Sequence, residues 1–154
     1  MGISITFTNY STTAWTRSIS GSETDAVLQN LTKSPGPVLQ ANAGVEAIAA
    51  DQSALSFIAT GAIDLYCCWY DPASGQRFGV QLWYPVQVFG IGKAPYWYVM
   101  SDRGKGIGDP ADWQNSGDDP SYPFEWSTVA GFKIRASPTA GHTSLDIEVV
   151  VESA

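Results

Sequence analysis

The chain has 154 residues, enough for one domain with a substantial core. Apolar residues make up 44% and charged residues 15%, which excludes a disordered chain, and no apolar run is long enough to cross a bilayer as a helix. The net charge of −7 argues against nucleic acid, which demands clustered Lys and Arg, and against docking on anionic lipid by charge alone.

The opening MGISITFTNYS has neither a basic start nor an apolar signal core, so no secretion signal is expected. Ile3, Ile5 and Phe7 alternate with polar residues as a first strand does. That reading outweighs the myristoylation start which Met1-Gly2 and Thr6 resemble. Asn9 to Thr12 reads as a turn, with Trp15 to Ile19 as the partner strand. Gly21 to Asp25 reads as the next turn, and Val27 to Leu31 follows. Asn9-Tyr10-Ser11 and Asn30-Leu31-Thr32 match the glycosylation sequon, by chance in a chain without an export signal. Ser34-Pro35-Gly36-Pro37 is a firm break, Val38 to Ala41 a short strand. Gly44 to Phe57 fits further short strands better than a helix over 44–50.

The most ordered pattern lies in the middle. Ile63, Leu65, Cys67 and Trp69 alternate against Asp64, Tyr66, Cys68 and Tyr70. Asp71-Pro72-Ala73-Ser74-Gly75 is turn chemistry, and Phe78, Val80, Leu82 and Tyr84 alternate again, so this is a β-hairpin. Residues 83–98 then hold Trp83, Tyr84, Phe89, Tyr96, Trp97 and Tyr98, broken by Pro85, Gly90, Gly92 and Pro95. Aromatics among turn-formers point to rings on an exposed loop, which is the functional candidate. Adjacent Cys67 and Cys68 face opposite sides of a strand, so a mutual disulfide is geometrically poor and a zinc site lacks ligands. They read as reduced, partly buried residues.

Asp102 to Gly108 is Gly-rich but lacks the P-loop spacing, and reads as a loop. Asp109-Pro110-Ala111-Asp112-Trp113-Gln114 predicts a short helix, with Asp as N-cap and Pro at the first helical position. Asn115 to Pro123 is polar and turn-rich, and Phe124 to Trp126 is aromatic again. Phe132 to Arg135 reads as a strand and Ser137 to His142 as a turn. Leu145, Ile147, Val149 and Val151 form a clear last strand. Short strands between turns, with one or two short helices, predict an all-β antiparallel β-sandwich, a single domain over 1–154.

No enzyme signature emerges. The single His, His142, sits in a predicted turn, and no Gly-x-Ser-x-Gly elbow occurs. Asp118 with Asp119, and Asp146 with Glu148, lack the apolar surround that would raise a carboxyl pKa for acid catalysis. A non-enzymatic protein without cofactor or metal is expected.

Several stretches together resemble the actinoporins, the sea-anemone cytolysins. Ala59-Thr60-Gly61-Ala62-Ile63 is similar to that family's Ala-Thr-Gly-Ala-Val. Gly75, Phe78 to Leu82, Pro85 and Tyr96-Trp97-Tyr98-Val99 follow its Gly turn, strand, Pro and aromatic pair before Val. Gly131-Phe132-Lys133, Ala140-Gly141-His142 and Leu145-Asp146-Ile147-Glu148-Val149 resemble its C-terminal motifs. Fungal fruit-body lectins share that fold, and aegerolysins are a similar sandwich.

The resemblance implies a sandwich with an aromatic patch that docks on membranes and a pocket for the phosphocholine of sphingomyelin. By position it nominates Thr24, Ile63, Pro85, the pair Tyr96 and Trp97, and Trp113 on the predicted helix. Trp83 stands where the family has a pocket Ser. Two departures stand out: the chain begins at its first strand, without the family's N-terminal amphipathic helix, and it is acidic where the family is basic. Surface binding therefore carries over better than pore formation. The expected partners are membrane lipid head groups, alone or with a homo-oligomer or partner protein. A lectin on the same scaffold, binding cell-surface glycans, is the alternative. A third expectation places the aromatics in the core or at a dimer contact.

Overall fold

A computed structural model describes residues 2–24, 31–51, 63–84, 96–102, 113–115, 123–128, 130–140 and 144–153. Eleven strands follow in chain order: β1 Gly2–Asn9, β2 Trp15–Thr24, β3 Val38–Leu39, β4 Gly44–Asp51, β5 Ile63–Tyr70, β6 Arg77–Tyr84, β7 Tyr96–Asp102, β8 Trp113–Asn115, β9 Phe124–Ser127, β10 Phe132–Ala140 and β11 Ser144–Ser153. They form a five-stranded sheet, β4-β1-β11-β10-β9, and a six-stranded sheet, β3-β2-β5-β6-β7-β8. The protein is all-β and sandwich-like, with no helix among the described residues.

The alternation that marked the strands decides which face is buried. In β1, Ile3, Ile5 and Phe7 turn inward, and in β11 Leu145, Ile147, Val149 and Val151 do the same. They meet Leu65, Cys67, Trp69, Phe78, Val80 and Leu82 from the other sheet in one apolar core. Rings lock the two layers. Phe7 packs edge-on against Trp69 at 5.6 Å and Trp15 against Phe132 at 4.7 Å across the layers, while Trp15 meets Phe78 at 4.8 Å within its own sheet. Such pairs add about 0.5–1.5 kcal/mol each beyond the area they bury.

Several expectations change. β2 does not pair with β1. It starts the six-stranded sheet, beside β3 and β5. The chain crosses between layers over 10–14, and the side chain of Asn9 holds that crossing. Its Nδ2 donates to Thr13 O at 2.7 Å and Gln40 O at 3.0 Å, while Oδ1 accepts from Ser11 N and Oγ. Asn9 is fully buried, so this sequon is no glycan attachment point on the folded chain; Asn30 lies outside the described residues. β1 finds its partners far away in sequence: β4 antiparallel, and β11 in parallel. That parallel pair is a departure from a wholly antiparallel sandwich.

Residues 44–51 form a strand and not a helix. The predicted turn Gly21 to Asp25 is the end of β2 as far as Thr24, and β10 runs on through Ser137 to Ala140. Among the described residues β9 pairs only Lys133 to Ala136 of this strand, short of Pro138. The hairpin β5–β6 is as read. Asp71 caps its turn, accepting from Ala73 N, Ser74 N and Ser74 Oγ, with Gly75 at φ 72°.

Candidate functional site

The register of the six-stranded sheet brings the nominated residues together. Thr24 pairs with Ile63, and Ile63 with Tyr84. One row further in, Glu23 pairs with Asp64, Asp64 with Trp83, and Trp83 with Tyr96. The next row is Ser22, Leu65, Leu82 and Trp97. Thr24, Ile63, Trp83, Tyr96 and Trp97 thus meet at one end of four neighbouring strands, β2-β5-β6-β7. With strands about 4.8 Å apart, the four span roughly 15 Å. Pro85 follows β6 directly and lies, with Phe89, outside the described residues.

Two corrections apply to this group. The aromatic stretch is not a loop at its ends: Trp83 and Tyr84 close β6, and Tyr96, Trp97 and Tyr98 open β7. Nor does Trp113 sit on a helix. It begins β8, in register with Met100. Asp109 to Asp112, the start of the predicted helix, lie outside the described residues. Trp113 is therefore four residues along and one strand over from Tyr96, about 13 Å away along the strand direction, and it is not brought to the cluster.

Alternation assigns faces to the rows. Leu65 and Leu82 are fully buried in the core, so the row that includes Trp97 is a core-side row. The row Glu23–Asp64–Trp83–Tyr96 alternates with it and has the parity of Tyr66 and Gln81 along β5 and β6. Sequence reasoning missed Glu23, placed in a turn, and gave Asp64 no role. The signal available was the parity of Asp64 with Tyr66 along one strand.

The two outer faces of the sandwich differ in chemistry. On the five-stranded sheet the face is solvated and carries two ion pairs among the described residues, Lys133 to Glu125 at 3.3 Å and Arg135 to Glu152 at 2.7 Å. On the six-stranded sheet Tyr66 and Tyr70 are half-buried, and the Arg77 guanidinium lies 5.7 Å from the Tyr70 ring centre. The middle of this face is closed: Cys68, on the outer side, is fully buried.

Both thiols are held in the protonated form. Both cysteines are free and buried. Burial raises the Cys67 thiol well above its ordinary value, with neighbouring Cys68 adding to the effect. Burial likewise pushes Cys68 up to about 12, against the lowering pull of Arg77. Among the described residues no group of three His, Cys, Asp or Glu could hold a metal ion. His142, Asp118 and Asp119 lie outside the described residues.

No family model matches the chain, and no curated protein matches it either.

Proposed function

We propose that this is a non-enzymatic cell-surface-binding protein of cytolysin type, which docks on phosphocholine lipids such as sphingomyelin. The docking end is the β2-β5-β6-β7 strand ends, with Trp83 and Tyr96 sharing one row; Thr24, Ile63 and Trp97 lie in the alternate rows beside it, and Pro85 is a further nominated position. One observation carries the reading: residues nominated from distant parts of the chain converge in register at one sheet end.

The physics suits such a target. Trp and Tyr favour the bilayer interface, where one part of the ring system is apolar and the other wet. Aromatic faces attract a quaternary ammonium by roughly 0.5–2 kcal/mol per ring. A zwitterionic head group does not repel a protein of net charge −7 as anionic lipid would. Docking of this kind leaves β1 in place, with Ile3, Ile5 and Phe7 still in the core.

The lectin reading draws on the same row, since rings beside Asp and Glu also stack on and hydrogen-bond sugars. Co-sedimentation separates the two. Sphingomyelin liposomes are expected to pull the protein down and shift its Trp fluorescence to the blue. No lipid binding, together with agglutination blocked by a free sugar, would replace the lipid reading by the lectin.

A further inference from the structure

Residues 32–37 run from the edge of β4 in one sheet to the edge of β2 in the other, where β3 takes up the chain. One end is tied to β4: Thr32 N donates to Ala49 O at 2.9 Å, and Ala49 N to Lys33 O at 3.0 Å. The other end is tied to β2, where Arg17 N donates to Pro37 O at 2.9 Å. Between these ends the ties are two side chains, one from each sheet. The Glu46 carboxylate of β4 accepts from Gly36 N at 2.8 Å, and Arg17 Nη1 of β2 donates to Pro35 O. Pro35 and Pro37 have no N–H to add to a ladder. Of the six residues only Pro35 is buried. A segment with so little buried surface belongs to the part of a fold that opens first.

We infer that residues 32–37 form a strap that opens as one unit, parting from both sheets while the ladders within each sheet stay closed, with Glu46 and Arg17 as its two latches. The closed state is held by directed bonds and little apolar area, so opening costs far less than unfolding the chain. The latch at Gly36 is a close fit, since a Cβ there would lie 2.9 Å from Glu46 Oε1. Both latches stand at core-side positions: Glu46 is in register with buried Phe7, and Arg17 with buried Trp69. The core side of β5 carries Cys67 two residues from Trp69, and the charges of Arg17 and Glu46 reach its thiol. Opening the strap therefore brings solvent to Cys67. Cys68 points to the opposite side of the same strand and is left as it was.

Amide hydrogen exchange of the full chain in low urea tests the strap. The N–H groups of Ala49 and Arg17 lie on different sheets, and strap carbonyls cover both. They should exchange with one shared opening equilibrium, roughly a hundredfold faster than the amides of Ile5 and Ile147, and with little dependence on urea. Glu46→Ala should speed Ala49 and Arg17 together by about tenfold, the scale of a lost hydrogen bond to a charged group. Glu46→Gln, which keeps an acceptor for Gly36 N, should do so less. Ile147→Val removes a contact that the open form retains, so it should speed Ile5 and leave Ala49 and Arg17 unchanged. In a Cys68→Ala background, slow labelling of Cys67 by a disulfide reagent should follow the strap: faster with Glu46→Ala, unchanged with Ile147→Val. Separate opening equilibria for Ala49 and Arg17, or an acceleration of both by Ile147→Val, overturns the strap. Exchange that Glu46→Ala leaves unchanged overturns the latch, and Cys67 labelling that Ile147→Val accelerates overturns the access to the thiol.

Discussion

Cys68 occupies the space that a side chain at Gly79 would need: a Cβ at position 79 would lie 2.3 Å from Cys68 Sγ and 2.9 Å from its Cβ. The two residues are directly paired across β5 and β6. A glycine is required there so that Cys68 can lie flat on the outer side of the sheet and be fully buried.

Gly79→Ala should therefore cost at least about 2 kcal/mol, the scale of overpacking a tight site. In a Cys68→Ala background the same change should cost no more than half as much, because the nearest contact is gone. Urea unfolding of the four proteins of this cycle checks it. Equal costs in both backgrounds would show that the glycine serves the backbone alone.

The thiols make stability depend on alkaline pH. Cys68 is raised to about 12 when folded, against an ordinary value near 9 when unfolded. The folded chain keeps its proton where the unfolded chain loses it, so this contribution is complete below pH 9 and is lost as pH rises from 9 towards 12. The slope is at most about 1.4 kcal/mol per pH unit for each such thiol. Cys67 acts in the same direction. Denaturant midpoints from pH 8 to 11 should fall accordingly and flatten in a Cys67→Ala, Cys68→Ala variant. Native protein should also resist a thiol reagent at pH 8 that modifies both residues in urea.

The turn beside Asn9 carries a different strain. Asn42 and Ala43 have φ of 58° and 77°, and Ala43 N donates to Asn9 O at 2.7 Å. A left-handed conformation disfavours Ala by about 1–2 kcal/mol, part of which Gly gives back through its freer unfolded chain. Ala43→Gly should stabilise by about 0.5 kcal/mol. Its neighbour behaves oppositely: a Cβ on Gly44 would lie 2.2 Å from Gln40 O, so Gly44→Ala should destabilise by more than about 2 kcal/mol. Asn9→Ala should cost about 3 kcal/mol by stranding buried carbonyls. Thermal melts of the three variants test the order.

How far this architecture could be read in advance depended on locality. β1, β5, β6 and β11 show a clean period of two, because each has one face on the core, and they were legible. The partner of β1 was not, because its pairing with β11 closes a parallel contact between residues as far apart as Ile3 and Leu145, and alternation has no reach over that distance. Trp113 was misread because Asp109-Pro110 is a strong local helix start, while the sheet edge along β7 is a tertiary offer. The site was half legible. Trp83 and Tyr96 stood out by type, but their neighbours Glu23 and Asp64 emerge only from register, and Asn9 looked like ordinary turn chemistry.

Register also separates two residues that look alike in sequence. Tyr96 is in the row of Trp83, and Trp97 is in the row of buried Leu82. Tyr96→Ala should weaken vesicle binding at least tenfold and shift the melting temperature little. Trp97→Ala should destabilise by about 3 kcal/mol or more, as for an aromatic lost from a core. Paired melting and sedimentation of the two variants decides; a stable Trp97→Ala protein with lost binding would place its function with Tyr96.

The account turns on whether the β6–β7 strand ends meet lipid, and fluorescence quenching by brominated lipid in sphingomyelin vesicles measures that contact most directly. Trp15 and Trp69 are fully buried and provide an unquenched background. Quenching that appears on vesicle binding and is largely lost in Trp83→Phe is the predicted result. Unquenched fluorescence at full binding, or quenching that Trp83→Phe leaves unchanged, would contradict it.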